Sequence, residues 1–249
     1  MRLRKSNPVY KYADRGGYYS DSSTSSATVS GVALKTLYLL VIIALFALIS
    51  AFRVDVESFT MTNMIAVLIV APIIAIIAVI FTHRKPQIGF VTTFVYAVAE
   101  GTFIGFISAL YTFLYGNDIV TTALLGTFGV LAGMLFLFST GLFKVTSFFR
   151  KLLMSALFGL IIASLLIFAL SFTGLSYATF SGLYFGIVLL SVIVSSLFLL
   201  YDFDTISNYV SAGAPKSTEW SLSLGLVVTI VWLYLELLRL VAILAGRRD

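Results

Sequence analysis

The sequence predicts an all-α, polytopic membrane protein with seven transmembrane helices, and three observations support that fold class. Of the 249 residues, 60% are hydrophobic and 11% are charged, whereas a soluble domain is about 45–50% apolar and about 25% charged. The mean hydropathy is +1.06. Seven apolar stretches of roughly 19–27 residues can each cross a hydrocarbon core about 30 Å thick. A soluble enzyme, a nucleic-acid-binding protein and a single-span anchor with a globular domain are therefore excluded.

The chain begins with a polar tail, residues 1–31, which precedes a transmembrane domain at residues 32–249. The Ser/Thr-rich run from Ser20 to Ser30 carries too little apolar surface to offset the entropy of ordering, so we predict a flexible cytosolic arm. The basic start is followed by polar sequence, which argues against a cleavable signal peptide. The predicted spans then cover residues 32–52, 61–81, 87–114, 119–140, 152–172, 178–201 and 220–244.

The distribution of Lys and Arg predicts the orientation of these spans. Sorted by alternate loops, twelve basic residues lie on the side of the N-terminus and three on the other, with Arg239 inside a span. Because cytoplasmic loops carry the excess of Lys and Arg, the N-terminus is predicted to be cytosolic and the C-terminus to lie beyond the plasma membrane. Arg247 and Arg248 argue against that last assignment, and a re-entrant segment would bring them inside. This topology, rather than nucleic-acid binding, explains the net charge of +5.

Small residues spaced four apart predict close packing between helices, because they let backbones approach in lipid. Three pairs have this spacing, and packing inside one bundle is favoured over dimerisation for each: Gly101/Gly105, Gly129/Gly133 and Gly182/Gly186. Pro72 removes a backbone donor within the second span and is expected to kink it, either as a hinge or as a static bend.

Five ionisable side chains remain at or within the spans: Glu100, Asp202, Asp204, Glu236 and Arg239. A charged group inside the membrane costs about 2.5 kcal/mol or more, so such residues usually face a cavity or a partner. Glu236 and Arg239 share a helix face, so either they form an ion pair or Arg239 extends to the lipid headgroups. Asp202 and Asp204 either lie within the sixth helix or mark its solvent-exposed end. Glu100, deep within an apolar span, is predicted to have a functional or buried-network role.

Buried carboxyl groups of this kind indicate proton and cation chemistry rather than catalysis. Two neighbouring buried acids can share a proton near neutral pH and can bind a hard cation such as Ca²⁺ when both are ionised. The single histidine, His83, lies in a basic loop, and an intramembrane aspartyl protease would need Asp where the seventh span has Glu236. Metalloprotease motifs, cysteines and Gly-rich phosphate loops are absent from the sequence. We therefore expect neither an enzyme nor a cofactor.

Short motifs around these acids resemble the transmembrane Bax inhibitor motif family. In the last two spans the motifs are Leu200-Tyr201-Asp202 with Ile206, and Leu233-Tyr234-Leu235-Glu236 with Leu238 and Leu240. Supporting motifs are His83-Arg84-Lys85 with Gly89, and the Glu-Gly-x-x-x-Gly pattern from Glu100 to Gly105. A longer bacterial, YccA-like subgroup is similar in Ser6-Asn7-Pro8, Thr28-Val29, Lys35-Thr36, Gly213-Ala214-Pro215 and Glu219-Trp220. The resemblance extends over nearly the whole chain.

The resemblance implies six helices around a central seventh and a pH-sensitive Ca²⁺ leak. In that family one acid from each of the last two helices shares a proton in the closed state and separates when the pore opens. By motif these acids are Asp202 and Glu236, which are also the candidate Ca²⁺ ligands, while Glu100, Asp204 and Arg239 are supporting charges. Many relatives have Asp at the second position, so the longer Glu236 side chain changes the geometry of the pair.

The residue count between the two acids argues against a simple pairing. Asp202 lies about eight residues from the end of its helix and Glu236 about seventeen from the start of its own, which is a depth difference of about 13 Å. Three explanations stay open. The seventh helix begins with an interfacial stretch near Ser217, or it tilts, or Glu236 pairs with Arg239 or Glu100 instead.

The sequence therefore predicts a pH-sensitive Ca²⁺ leak channel of the plasma membrane, gated by protonation of Asp202 and Glu236. Its expected partners are the lipid bilayer, Ca²⁺ and protons, with no nucleic acid. Two alternatives remain: a membrane interaction protein that regulates a protease or another partner through its tail, and a proton-coupled solute carrier.

Overall fold

The computed structural model describes residues 25–53, 66–116, 118–171 and 177–246, and most residues in these ranges are helical. Seven helices are long and apolar enough to cross a membrane, which confirms the predicted all-α, multi-pass fold. The α-helices of these spans are α1 (Val29–Arg53), α2 (Ala71–Arg84), α3 (Gly89–Tyr115), α4 (Asp118–Ser139), α5 (Ser147–Ser171), α6 (Tyr177–Ser211) and α7 (Thr218–Ala245). The second span, Val67–Arg84, also includes most of the short π-helix that precedes α2.

The helix α7 lies at the centre of the bundle, as the resemblance implies. It packs against α1, α2, α3, α4 and α6, and Leu224, Val227 and Leu233 along its length are fully buried. The helix α5 instead packs on the outside of α6. Its cluster with α6 receives one half-buried side chain from α7, Trp232. Polar groups on α7 are thus enclosed by protein on most sides.

The helix α6 continues well beyond the predicted end of its span at residue 201. It ends at Ser211, followed by Gly213 with a φ of +71°, which is a conformation that favours glycine. The last turns stay helical because buried Phe203 and Ile206 anchor them to α7. The alternative in which α6 ends at its two acids is therefore wrong: Asp202 and Asp204 lie inside the helix.

Pro72 lies at the start of α2, directly after a short π-helix at Ala66–Val70. Proline cannot donate a backbone hydrogen bond to a carbonyl of the preceding turn, so it interrupts the regular hydrogen-bond pattern of a helix. The expected disturbance of the second span therefore takes the form of a change from π-helix to α-helix at this point.

Close backbone packing occurs at one of the three predicted glycine pairs. A Cβ atom on Gly101 would come within 2.6 Å of the Ile43 carbonyl oxygen, and one on Gly105 would overlap the Ala47 carbonyl, so α1 and α3 are in backbone contact here. The expectation is wrong for the other two pairs, around which a Cβ would meet no atom of the described residues within 4 Å: Gly129/Gly133 and Gly182/Gly186. The four-residue spacing places small residues on one face of a helix but does not say which way that face points.

Candidate functional site

The Asp202 carboxyl group lies at the seam between α6 and α7. The buried hydroxyl group of Thr229, which donates to the Gly225 carbonyl at 3.3 Å, faces this carboxyl group across the seam. The other carboxyl oxygen, Oδ2, is buried and has no hydrogen-bond partner within the described ranges. An ionised carboxylate is costly to bury without a donor, so this oxygen is a place where a proton or a cation would be stabilising.

Glu236 lies two helical turns after Thr229 on α7, is buried, and has hydrogen-bond partners on both carboxylate oxygens. Arg239 places Nη1 at 3.1 Å from Oε2 and at 3.3 Å from Oε1, and the indole nitrogen of Trp232 donates to Oε1 at 3.2 Å. Tyr111 of α3 is a further hydrogen-bond partner of Arg239. Of the two alternatives for Arg239, the ion pair is therefore the one that the structure contains.

The structure does not pair Asp202 with Glu236. Thr229, which faces Asp202, precedes Glu236 by seven residues, which corresponds to roughly 10 Å along the helix axis. That separation agrees with the depth difference expected from the residue count. The helix α7 begins at Thr218. Of the three explanations, the pairing of Glu236 with Arg239 is the one that accounts for the contacts of Glu236. The two acids thus occupy successive levels along α7.

Asp204 lies on the outer side of α6 and holds α5 in place. Its Oδ2 accepts an ion-paired hydrogen bond from Arg150 at the start of α5 and a second hydrogen bond from the Asn208 amide at 2.9 Å. The Arg150 side chain is 44% exposed, so the pair is partly wet. These contacts give Asp204 a structural role between two helices.

Glu100 faces a cavity of about 360 Å³ between α2, α3 and α7. The walls are apolar except for Tyr96 and Trp232, and among the described residues no hydrogen bond or ion pair reaches the Glu100 carboxyl group. Glu100 and Glu236 are not in contact in the described structure. They are connected through Trp232, whose ring lines this cavity while its nitrogen donates to Glu236.

A cluster that the charge analysis missed lies where α1 and α7 begin. Glu219 is 1% exposed and forms an ion pair with Lys35. It also accepts a hydrogen bond from the Thr28 amide at 2.9 Å and one from the Thr28 hydroxyl at 3.3 Å. The Lys35 ammonium lies 4.9 Å from the centroid of the Trp220 ring. We call Thr28, Gly31, Lys35, Glu219 and Trp220 the entry cluster.

The entry cluster is fixed by contacts between the segment before α1 and the α6–α7 loop. Ser26 and Pro215 form an isolated antiparallel bridge, and the Ala27 amide donates to the Ala214 carbonyl at 2.8 Å. Residues 25–31 of the predicted tail are thus part of this contact, while residues 1–24 lie outside the described part of the chain. Four of the five motifs that resemble the longer bacterial subgroup meet here, while Ser6-Asn7-Pro8 lies outside the described residues. The joint placement of the four motifs at the starts of the first and last spans was the available signal.

The described ranges contain no group of three or more His, Asp and Glu side chains that could hold a metal ion. The candidate Ca²⁺ ligands Asp202 and Glu236 do not belong to such a group. Compared with known protein families, the chain matches the family model described as Bax inhibitor 1 like over residues 7–246. No curated protein matches it.

Proposed function

Because this chain belongs to the Bax inhibitor 1 like family, we propose that it is a pH-sensitive Ca²⁺ leak channel gated by protonation of Asp202 and Glu236. The proposal places it in the plasma membrane with a cytosolic N-terminus, in accordance with its Lys and Arg distribution. It assigns no catalytic activity and no cofactor to the protein.

The observation that carries the proposal is the unpartnered Oδ2 oxygen of Asp202 inside a transmembrane helix. A charged carboxylate in this position costs about 2.5 kcal/mol or more unless something compensates it. A proton compensates it in the closed state, and a cation compensates it when the proton has left. Carboxylate and hydroxyl oxygens, as supplied by Asp202 and Thr229, suit a hard cation such as Ca²⁺.

The second acid supports a closed gate at a separate level. Arg239 is bound to Glu236 and places a positive charge beside it, which repels a cation and occupies the carboxylate oxygens. Opening therefore requires Arg239 to move away from Glu236, after which the ionised carboxylate can receive the ion and the protonated carboxyl group cannot. In this arrangement the acids act in series along α7 rather than by sharing one proton.

Proteoliposomes loaded with a Ca²⁺ indicator test the proposal. Ionised carboxylates attract Ca²⁺ and protonated ones do not, so flux is expected to rise with pH in the unmodified protein. Asp202→Asn and Glu236→Gln keep side-chain size and remove the ionisable group, and each should flatten the dependence on pH. The matched control is Asp204→Asn, which removes an acid two residues from Asp202 and should keep the dependence. Unchanged pH profiles in both test variants would refute the gate.

A second candidate function is a membrane adaptor that binds a partner through its tail. One observation favours it: the bridge between Ser26 and Pro215 places the first described residues beside the α6–α7 loop. Deletion of residues 1–24 tests this while keeping Thr28 for Glu219. A channel should retain its Ca²⁺ flux after the deletion, whereas an adaptor should lose partner binding and have no flux to retain.

A further inference from the structure

The cavity beside Glu100 combines one acid with an otherwise apolar wall. Side chains of α2, including Ala75, Ile76 and Ile80, form one side, and α7 closes the other. Ile76 is 60% exposed and Ile80 is 45% exposed, so the α2 side of the cavity lies at the outer surface of the bundle. A volume of about 360 Å³ is within the range of about 300–1,000 Å³ typical of small-molecule sites.

The cavity lies near the middle of the membrane. Glu100 comes eleven residues after the start of α3 at Gly89, which corresponds to roughly 16 Å of helix, about half of a hydrocarbon core. The headgroup of a bilayer lipid is held at the interface and does not reach this depth. A small amphiphile dissolved in the membrane does reach it, and it can enter past the exposed α2 side chains.

The chemistry of the walls selects the charge of such an occupant. The Glu100 carboxyl group forms no ion pair with the described residues. The ionised group would therefore attract a positive charge placed beside it, and the attraction is strong in a medium of low dielectric constant. Two aromatic side chains line the same cavity, Tyr96 one helical turn before Glu100 and Trp232 on α7. Aromatic faces attract ammonium groups, most strongly Trp, and the aliphatic walls suit an alkyl chain.

We propose that this cavity is a binding site for a small lipophilic cation of the alkylammonium class, with Glu100 as the counter-ion and Trp232 as an aromatic wall. The site is separate from Asp202, and its occupancy does not require that the protein conduct Ca²⁺. Because Trp232 lines the cavity and also donates to Glu236, a bound cation changes the surroundings of a side chain that holds Glu236.

Tryptophan fluorescence gives a direct test, since the chain has two tryptophans. Trp220→Phe removes the one outside the cavity and leaves Trp232 as the reporter. The protein is placed in nanodiscs of phosphatidylglycerol and titrated with hexyltrimethylammonium at about pH 8, above the ordinary pKa range of glutamate. Saturable quenching or a spectral shift of Trp232 is expected, and Glu100→Gln should weaken binding by at least about tenfold.

Three comparisons make the result specific. The neutral carbon isostere 2,2-dimethyloctane should bind the Glu100→Gln protein as well as the unmodified protein, which also demonstrates that the variant is folded. Asp204→Asn should leave cation binding unchanged, and Ala75→Leu, which fills the cavity, should weaken binding of both compounds. Equal cation affinity with and without the Glu100 carboxylate would overturn the proposal. So would competition by added phosphatidylethanolamine, which would assign the site to a lipid headgroup.

Discussion

The entry cluster and the middle of the bundle treat buried acids in opposite ways. Glu219, at the start of α7, has an ion pair and two further hydrogen bonds, all from the first helix and the residues before it. Asp202 lies against the same helix and keeps one buried oxygen for which the described residues supply no partner. Fully partnered polar groups stabilise a fold, whereas unpartnered ones cost stability. The difference separates an acid that holds the bundle together from one that is available for ions or protons.

The largest expected effect on stability is that of Glu219→Gln. The change leaves the Lys35 ammonium, whose side chain is 17% exposed, without its counter-ion, and we expect a loss of about 2–3 kcal/mol in the free energy of unfolding. Denaturant titration in mild detergent measures it. The double variant Lys35→Met with Glu219→Gln should recover most of the loss. Asp204→Asn, which breaks a wetter ion pair, should cost at most about 1 kcal/mol. Equal losses for the two acids would remove the contrast.

A smaller loss is expected for Gly31→Ala. A Cβ atom at this position would overlap the Glu219 carboxylate, so the acid must shift away from its donors, at a cost of about 1–3 kcal/mol. Gly225→Ala on α7 is the matched control, because a Cβ there meets no atom within 4 Å and the change should be neutral or slightly stabilising. Thermal unfolding followed by circular dichroism compares the two. A harmless Gly31→Ala would mean that the entry cluster has room to adjust.

The smallest effect on stability is expected for Asp202→Asn. An amide keeps the shape of the side chain and removes a charge that has no compensating donor on Oδ2, so the melting temperature should stay the same or rise slightly. The same variant should lose the pH dependence of Ca²⁺ flux. A clear drop in melting temperature would show that Asp202 belongs with Glu219 as a structural acid.

The sequence was sufficient to predict the number of spans. Hydropathy identifies spans because every backbone polar group in lipid must be satisfied within a helix, and the structure has the seven expected helices. The residue count between Asp202 and Glu236 also anticipated that the two acids lie at different depths. Their roles as a gate remain a prediction that flux measurements can test.

Contacts between distant parts of the chain were beyond the reach of pattern reasoning. Lys35 was counted only as a charge that reports orientation, and Glu219 only as part of a loop motif, because nothing in either local sequence indicates a partner 184 residues away. The predicted packing of the Gly129/Gly133 and Gly182/Gly186 pairs was wrong for a related reason. Which side of a helix becomes buried depends on where its neighbours are placed, and this is a property of the whole bundle.

The entry cluster also bears on how the protein is assembled during synthesis. Thr28 and Lys35 enter the membrane with the first span, but Glu219 is made 184 residues after Lys35, so the first helix waits for its partner until the last helix emerges. Long-range contacts of this kind form late. Until then Lys35 lacks the carboxylate that neutralises its charge in the finished bundle. Completion of the chain is therefore also the step at which the first and last helices are joined.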